Sequence, residues 1–165
     1  MADLNKIMVA VAFSQYTEGL FRYAVRMANR MNADLVVASI INQRDVSAVR
    51  QIVEMGYEVD GDHYVSGIKK EREDALAKLI SDCGFASDRV KAVIKVGNPV
   101  DQLLKIIVSE DVDLVLMGVK GRSDLEHAFI GSVADKLFRR SPVTVVSYRD
   151  DLVADRLKKR IPTNS

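Results

Sequence analysis

The chain has 165 residues, a length that favours one domain with one substantial core. Apolar residues make up 48% and charged residues 28%, as in soluble globular proteins, and 24 basic against 23 acidic side chains leave a net charge of +1. This balance gives no pull toward nucleic acid, and an aromatic content of 6% without tryptophan offers no stacking array for single strands.

Cys83 is the only cysteine, so neither an internal disulfide nor a cysteine-based metal site can form. The first apolar run, IMVAVAF, is too short for a membrane span and lacks the basic flank of a signal peptide. We therefore expect a cytoplasmic protein without membrane insertion.

Five apolar runs, most of them rich in valine, are predicted as strands. All but the third lack clean polar alternation, which is typical of strands covered on both faces of a parallel sheet. In chain order they are IMVAVAF (7–13), LVVASII (35–41), VKAVIKV (90–96), DLVLMG (113–118) and PVTVVSY (142–148).

Four helices are predicted between these strands, because apolar residues recur there every three or four positions. Asn98 precedes a proline and is a good N-cap for the third helix. The apolar stripes include Val108 in the third helix and Phe138 in the fourth, so both side chains are expected to face inward. The helices cover 15–31, about 63–83, 99–109 and about 132–140.

Strands that alternate with amphipathic helices predict a doubly wound α/β fold with a parallel sheet and right-handed crossovers. Residues 43–62 exceed an ordinary connection and carry apolar residues at helical spacing from Val46 to Val53. A helical lid over the sheet edge is the favoured interpretation, and a ligand cover or subunit contact is the alternative. Residues 149–165 are predicted as a polar tail whose basic cluster is solvated.

The segment GVKGRSDLEHAFIGS (118–132) joins a predicted strand end to a predicted helix start. Gly118 and Gly121 let the loop turn sharply, and Gly131 lets backbone approach a ligand closely. Ser132 adds a hydroxyl at the helix entry, where unpaired amides favour an anion, and Lys120 adds positive charge. Turn glycines with a capping serine are the structural alternative.

Other phosphate-binding motifs are missing from the sequence. No G-x-x-x-x-G-K-[ST] occurs, which argues against a P-loop NTPase. The first strand is followed by SQYTEG instead of G-x-G-x-x-G, which argues against a dinucleotide-binding Rossmann site.

The spacing G-x2-G-x9-G-[ST] resembles the nucleotide loop of the universal stress protein family. The resemblance extends over LVLMGVKGRSDLEHAFIGSVADKLFRRSPVTVV and, more loosely, over most of residues 6–148. It implies one domain over 1–148, a five-stranded sheet of order 3-2-1-4-5, and a homodimer paired through the last strand (142–148). Members with this glycine pattern commonly bind ATP, and AMP or ADP are possible ligands.

The resemblance also assigns roles to residues of this chain. Gly118, Gly121, Gly131 and Ser132 would hold the ribose and phosphates. Val133 would supply a further backbone N–H.

At the strand ends, the resemblance places Met117 and Ile40 on either side of the adenine, and Val11, Ala12 and Phe13 at the edge of the base. Nucleotide-binding members usually carry aspartate at the position of Ala12. A side-chain acceptor is therefore missing here, which affects affinity or ligand choice.

No catalytic residue is predicted. His127 and Asp124 lie in the glycine loop, but nothing in the sequence indicates that their side chains converge on a reacting atom. Asp60, Asp62 and His63 could bind a metal weakly, although a surface loop is favoured and no metal site is predicted. Mg²⁺ could arrive with ATP, held mainly by phosphate oxygens.

Two functions from different classes remain open. The favoured one is a stress-response protein that binds an adenine nucleotide and acts, as a homodimer, on an unknown regulatory protein partner, with at most slow ATP hydrolysis. The alternative is a dimeric interaction module that has lost ligand binding, as Ala12 would indicate.

Overall fold

The computed structural model describes residues 3–56, 60–118 and 132–163. A short 3₁₀ turn lies between the third helix and the third strand. In chain order the elements are β1 (Lys6–Ala10), α1 (Thr17–Met31), β2 (Asp34–Asn42), α2 (Gln43–Glu54), α3 (Gly61–Cys83), β3 (Val90–Gly97), α4 (Pro99–Ser109), β4 (Leu114–Gly118), α5 (Ser132–Arg140), β5 (Thr144–Tyr148) and α6 (Asp151–Lys158).

The described strands form one parallel sheet in the order β3-β2-β1-β4-β5, which confirms the predicted fold class and strand order. Central β1 pairs with β2, where Ala10 lies opposite Ala38, and with β4, where Ala10 lies opposite Met117. Strand order reverses between β1 and β4. In open α/β sheets such a reversal opens a crevice at the carboxyl ends of the strands.

Alternate residues of each strand face two separate cores. Ile7 and Val9 of β1 pack with Phe21 of α1 and Leu76 of α3 on one face of the sheet. Met8 packs with residues of α4 and α5 on the other face. All three β1 side chains are fully buried, which explains why the first strand reads as a continuous apolar run.

Asparagine or aspartate caps the start of four described helices, at Asn42, Asp60, Asn98 and Asp150. The Asn98 Oδ1 accepts hydrogen bonds from the amides of Val100 (3.1 Å) and Asp101 (3.2 Å). These caps satisfy amides that the first helical turn leaves unpaired, so the helix starts are fixed by local sequence.

Two side chains predicted to face inward are instead exposed: Val108 is 69% and Phe138 44% accessible. At 3.6 residues per turn, Val108 lies about 40° beyond Leu104, which is itself only half-buried. Phe138 lies about 160° around α5 from Arg140, whose guanidinium contacts Asp101 of α4 at 3.2 Å. Phe138 therefore points to the flank of α5 away from α4.

The insert and the carboxyl-terminal segment both contain helices. In α2 the side chain of Val46 is buried, whereas Ile52 and the following Met55 are exposed. Within the segment predicted as a polar tail, α6 forms and buries none of its residues; Leu152 is 78% accessible. None of the helices described is long and apolar enough to cross a membrane.

Candidate functional site

An apolar surface lies where β1, β2 and β4 end at the switch point. Met117 of β4 is buried there, and Ala10, Ile40 and Val133 are partly buried and pack against the same core. The family resemblance assigned Met117, Ile40 and Val133 to a common ligand, and the structure puts all three on one face of the sheet.

The three residues of the turn after β1, Val11 to Phe13, differ in burial and in backbone conformation. Val11 is buried, and its N–H donates to the Ala38 carbonyl at 2.9 Å, so the β1–β2 ladder continues for one more residue. Ala12 is exposed. Phe13 has a φ of 50°, a left-handed conformation that costs an L-residue about 1–2 kcal/mol and is unusual for a bulky side chain.

A buried arginine of α3 contacts this turn. The Arg72 guanidinium carbon lies 5.4 Å from the centre of the Phe13 ring, within the range of a cation–π interaction. The Arg72 Nη1 also donates to the Ser39 Oγ at 2.8 Å. Arg72 is 9% accessible and Ser39 is fully buried. A cation–π contact is worth about 0.5–1 kcal/mol at an exposed site and about 2 kcal/mol when desolvated, which is comparable to the strain at Phe13.

The sequence prediction missed Arg72 and Ser39, although both carry a recognisable signal. Arg72 lies four residues after Ile68 and four before Leu76, within the apolar stripe predicted for 63–83. Ser39 is the one polar residue in LVVASII (35–41). A charged side chain in an apolar helix stripe and a hydroxyl in an apolar strand satisfy each other by a hydrogen bond when both face the same core.

The glycine loop is described only at its two ends. Gly118 closes β4 opposite Tyr148 of β5, and Ser132 is the first residue of α5. Three predicted ligand residues between these two ends fall outside the described residues: Lys120, Gly121 and Gly131. Asp124 and His127 also fall outside them.

Asp60 serves as the N-cap of α3 instead of acting as part of a metal site. Its Oδ1 accepts hydrogen bonds from the amides of Asp62 (3.0 Å) and His63 (3.2 Å). Across the part of the chain that the structure describes, no group of three or more His, Cys, Asp or Glu side chains is placed to hold a metal ion. Burial raises the pKa of the Cys83 thiol, an effect that Arg22 opposes, so the thiol is a poor nucleophile at neutral pH.

A groove of about 420 Å³ follows the outer edge of β3, away from the switch point. Lys91 pairs with Glu110 there at 2.8 Å, so part of its charge is internally neutralised. Lysines on an edge strand also protect against pairing with other chains. The remaining charged lining residues are Lys69, Glu73 and Lys95.

Residues 4–149 match the sequence model of the universal stress protein family. The chain belongs to this family. The match ends immediately before α6, so α6 lies outside the shared domain.

Relatives of this chain carry the same family name. A 71-residue stretch is 37% identical to universal stress protein MJ0577 of Methanocaldococcus jannaschii and spans 42% of each chain. A 55-residue stretch is 36% identical to a universal stress protein of Methanothermobacter thermautotrophicus, spanning 37% of that protein. Over 99% of this chain and 95% of the relative, identity to protein SH1215 of Staphylococcus haemolyticus is 26%.

Solved structures share the fold at low identity. The MJ0577 structure aligns with a TM-score of 0.71 at 22% identity over 91% of this chain and 100% of that one. UspA of Lactobacillus plantarum gives 0.72 at 18% identity over 90% and 100%. A universal stress protein in complex with cAMP gives 0.61 at 21% identity over 90% and 98%.

Proposed function

We propose that this universal stress protein is a cytoplasmic stress-response protein that binds ATP or a related adenine nucleotide and acts as a regulatory homodimer. The observation that carries the proposal is the complete set of Gly118, Gly121, Gly131 and Ser132 between the end of β4 and the start of α5. Backbone amides at a helix N-terminus suit a phosphate group.

The apolar surface beside the switch point supports an adenine base in particular. Ile40 and Met117 lie on the same face as Val133. Ala12, two residues after the end of β1, is exposed. An apolar surface next to an anion site matches the two halves of a nucleotide. A structural relative solved with cAMP supports the same ligand class.

Calorimetry with ATP, ADP and AMP at millimolar ligand tests nucleotide binding. We expect heat and a thermal shift with at least one of them, and loss of both in Gly131→Val, because a branched side chain would block backbone approach to phosphate. Gly67→Val is the matched control, since a Cβ at Gly67 meets nothing within 4 Å. No response to any of the three nucleotides would overturn the proposal.

The alternative function is a dimeric interaction module that has lost its ligand, and Ala12 is the observation that favours it. Restoring the carboxylate separates the two functions. We predict that Ala12→Asp raises nucleotide affinity about ten-fold, because a hydrogen bond to a charged acceptor is worth about 1.5–3 kcal/mol. Ala12→Asn, which has the same shape without the charge, is the control.

Whether the wild-type chain binds a nucleotide then decides between the two functions. Binding by the wild type supports the nucleotide proposal. Binding by Ala12→Asp alone supports the interaction module. Mass spectrometry of the freshly purified protein identifies any small molecule that stays bound.

No catalytic turnover is part of the proposal. Hydrolysis needs a positioned base, and none is assigned, so phosphate release from ATP at or near background is expected. Mg²⁺ would accompany ATP through phosphate oxygens. Binding and phosphate release are measured separately, because Gly131→Val should abolish both.

The proposed homodimer forms through β5. This strand is at the edge of the sheet, and its outer N–H and C=O groups lack a strand partner within the described chain. Nucleotide binding at the neighbouring β4–α5 connection would bias which regulatory protein the dimer engages.

A further inference from the structure

We infer that Arg72 is a positioning residue that fixes the turn Val11–Ala12–Phe13 against the end of β2, and so sets the base-facing part of the site. The inference deepens the proposed function and rests on it for its nucleotide arm. It assigns Arg72 no contact with the ligand.

On this face of the sheet, Arg72 contacts both the turn after β1 and the end of β2. Phe13, which it contacts at 5.4 Å, directly follows Ala12. Ser39, to which it donates at 2.8 Å, directly precedes Ile40. Ala12 and Ile40, the sequence neighbours of these two contact residues, were assigned to the edge and the face of the base.

The conformation of Phe13 needs such a support. A bulky residue at a φ of 50° persists only where its surroundings hold it. The Ser14 N–H donates to the Thr17 Oγ1 at 2.9 Å, which ties the far side of the turn to α1. Arg72 ties the near side to α3, so the turn is held from both flanks.

Burial makes this link strong. Arg72 and Ser39 are both buried, so their hydrogen bond is shielded from water, whereas the Phe13 ring in the cation–π contact is half-buried. A lysine cannot reproduce the planar guanidinium that lies over the ring while donating sideways. Replacement of Arg72 should therefore loosen the turn even where the fold survives.

The protein contains a matched control at the opposite end of the sheet. The Arg89 guanidinium lies 5.2 Å from the Phe85 ring centre, and its Nη2 donates to the Ala33 carbonyl at 2.7 Å. Arg89 thus has the same two kinds of contact beside the start of β2, and its Nε also pairs with the Asp34 carboxylate at 3.2 Å. Its replacement removes similar chemistry far from the carboxyl edge.

Hydrogen exchange of the nucleotide-free protein is the first test. The amides of Val11 and Ser14 are the protected ones, since they donate at 2.9 Å to the Ala38 carbonyl and the Thr17 Oγ1. Arg72→Met and Arg72→Lys should speed exchange of these two amides about ten-fold, with Ser39→Ala intermediate, because loss of the cation–π contact and of the charged hydrogen bond makes opening of the turn easier. Arg89→Met should leave these amides unchanged. Unchanged exchange of the Val11 and Ser14 amides in the Arg72 and Ser39 variants would overturn the inference.

Calorimetry with ATP and with inorganic tripolyphosphate is the second test. Arg72→Met should weaken ATP binding about ten-fold and change tripolyphosphate binding less than two-fold, since the turn faces the base. Arg89→Met should change neither. Equal losses for both ligands would overturn a role on the base side. If the wild type binds neither ligand, the nucleotide proposal fails, and the exchange result alone decides whether Arg72 fixes the turn.

Discussion

Tyr148, the last residue of β5, holds its proton more tightly in the folded protein than in the unfolded chain. Burial and then the carboxylates of Asp150 and Asp151 disfavour the phenolate and raise the pKa of Tyr148 above its ordinary value of 10.0. The phenol therefore contributes stability that is fully present below pH 10 and is lost as the pH rises through the folded pKa.

We predict that the free energy of unfolding of the wild type falls more steeply above about pH 10 than that of Tyr148→Phe. Urea unfolding at a series of pH values measures this. Tyr64→Phe on α3 is the control for loss of a tyrosine elsewhere. Identical slopes for the wild type and Tyr148→Phe would contradict the prediction.

At the scale of single residues, the candidate site was assigned mainly by the family resemblance. The resemblance placed Ile40, Met117 and Val133 around the ligand, and the structure packs all three against the core on one face of the sheet. Arg72 could not be assigned to the site, since its partners Phe13 and Ser39 are 59 and 33 residues away in sequence. Only the packing of α3 brings them together.

Among the helices, α4 shows most directly how a local signal sets a boundary. Asn98 caps two amides, and α4 begins at Pro99, as the sequence predicted. We predict that Asn98→Ala lowers the free energy of unfolding by about 1 kcal/mol, because those amides lose their acceptor. Urea unfolding measures the loss.

The matched control for the cap is Asn29→Ala. Asn29 is exposed within α1 and caps nothing, so its replacement should be neutral or slightly stabilising. Equal losses in the two variants would mean that the Asn98 cap has no specific role.

Helix faces were predicted less well than helix bounds, for a physical reason. Periodicity reports which residues are apolar, whereas burial depends on what covers each flank. Val108 and Phe138 extend apolar stripes past the arc that the sheet and the neighbouring helix cover. Their exposure follows from how α4 and α5 pack on one face of the sheet. Sequence periodicity carries no information about that packing.

For the whole molecule, the alternation of buried strands and amphipathic helices was enough to predict a doubly wound sheet. The strand order was implied by the family resemblance, because periodicity does not say which strands are neighbours. The five-residue strand β5 at one edge and the eight-residue strand β3 at the other are both confirmed as edges.

The proposed dimer can be tested at β5 with two neighbouring proline variants. Successive residues of a strand point their N–H groups to opposite sides, so either Val145→Pro or Val146→Pro removes an outward donor and spares the ladder to β4. We predict a wild-type dimer by sedimentation at roughly 50 μM, and a folded monomer for one of the two variants.

The same pair of substitutions at the opposite edge, Lys91→Pro and Ala92→Pro in β3, is the control and should leave the dimer intact. A monomeric wild type would refute the dimer. Proline variants of β5 that stay folded and dimeric at both positions would refute pairing through β5.

The central position of β1 has a consequence during synthesis. The Lys6 amide donates to the Asp113 carboxylate at 2.9 Å across a separation of 107 residues, and β4 begins at the residue after Asp113. At about 5–20 residues per second, the ribosome releases β1 roughly 5–20 s before its second neighbour exists. During that interval the edge of β1 that pairs with β4 lacks its partner. The cores on both faces of β1 are therefore completed only after β4 has been synthesised, because Leu114 and Leu116 belong to one of them and Val115 and Met117 to the other.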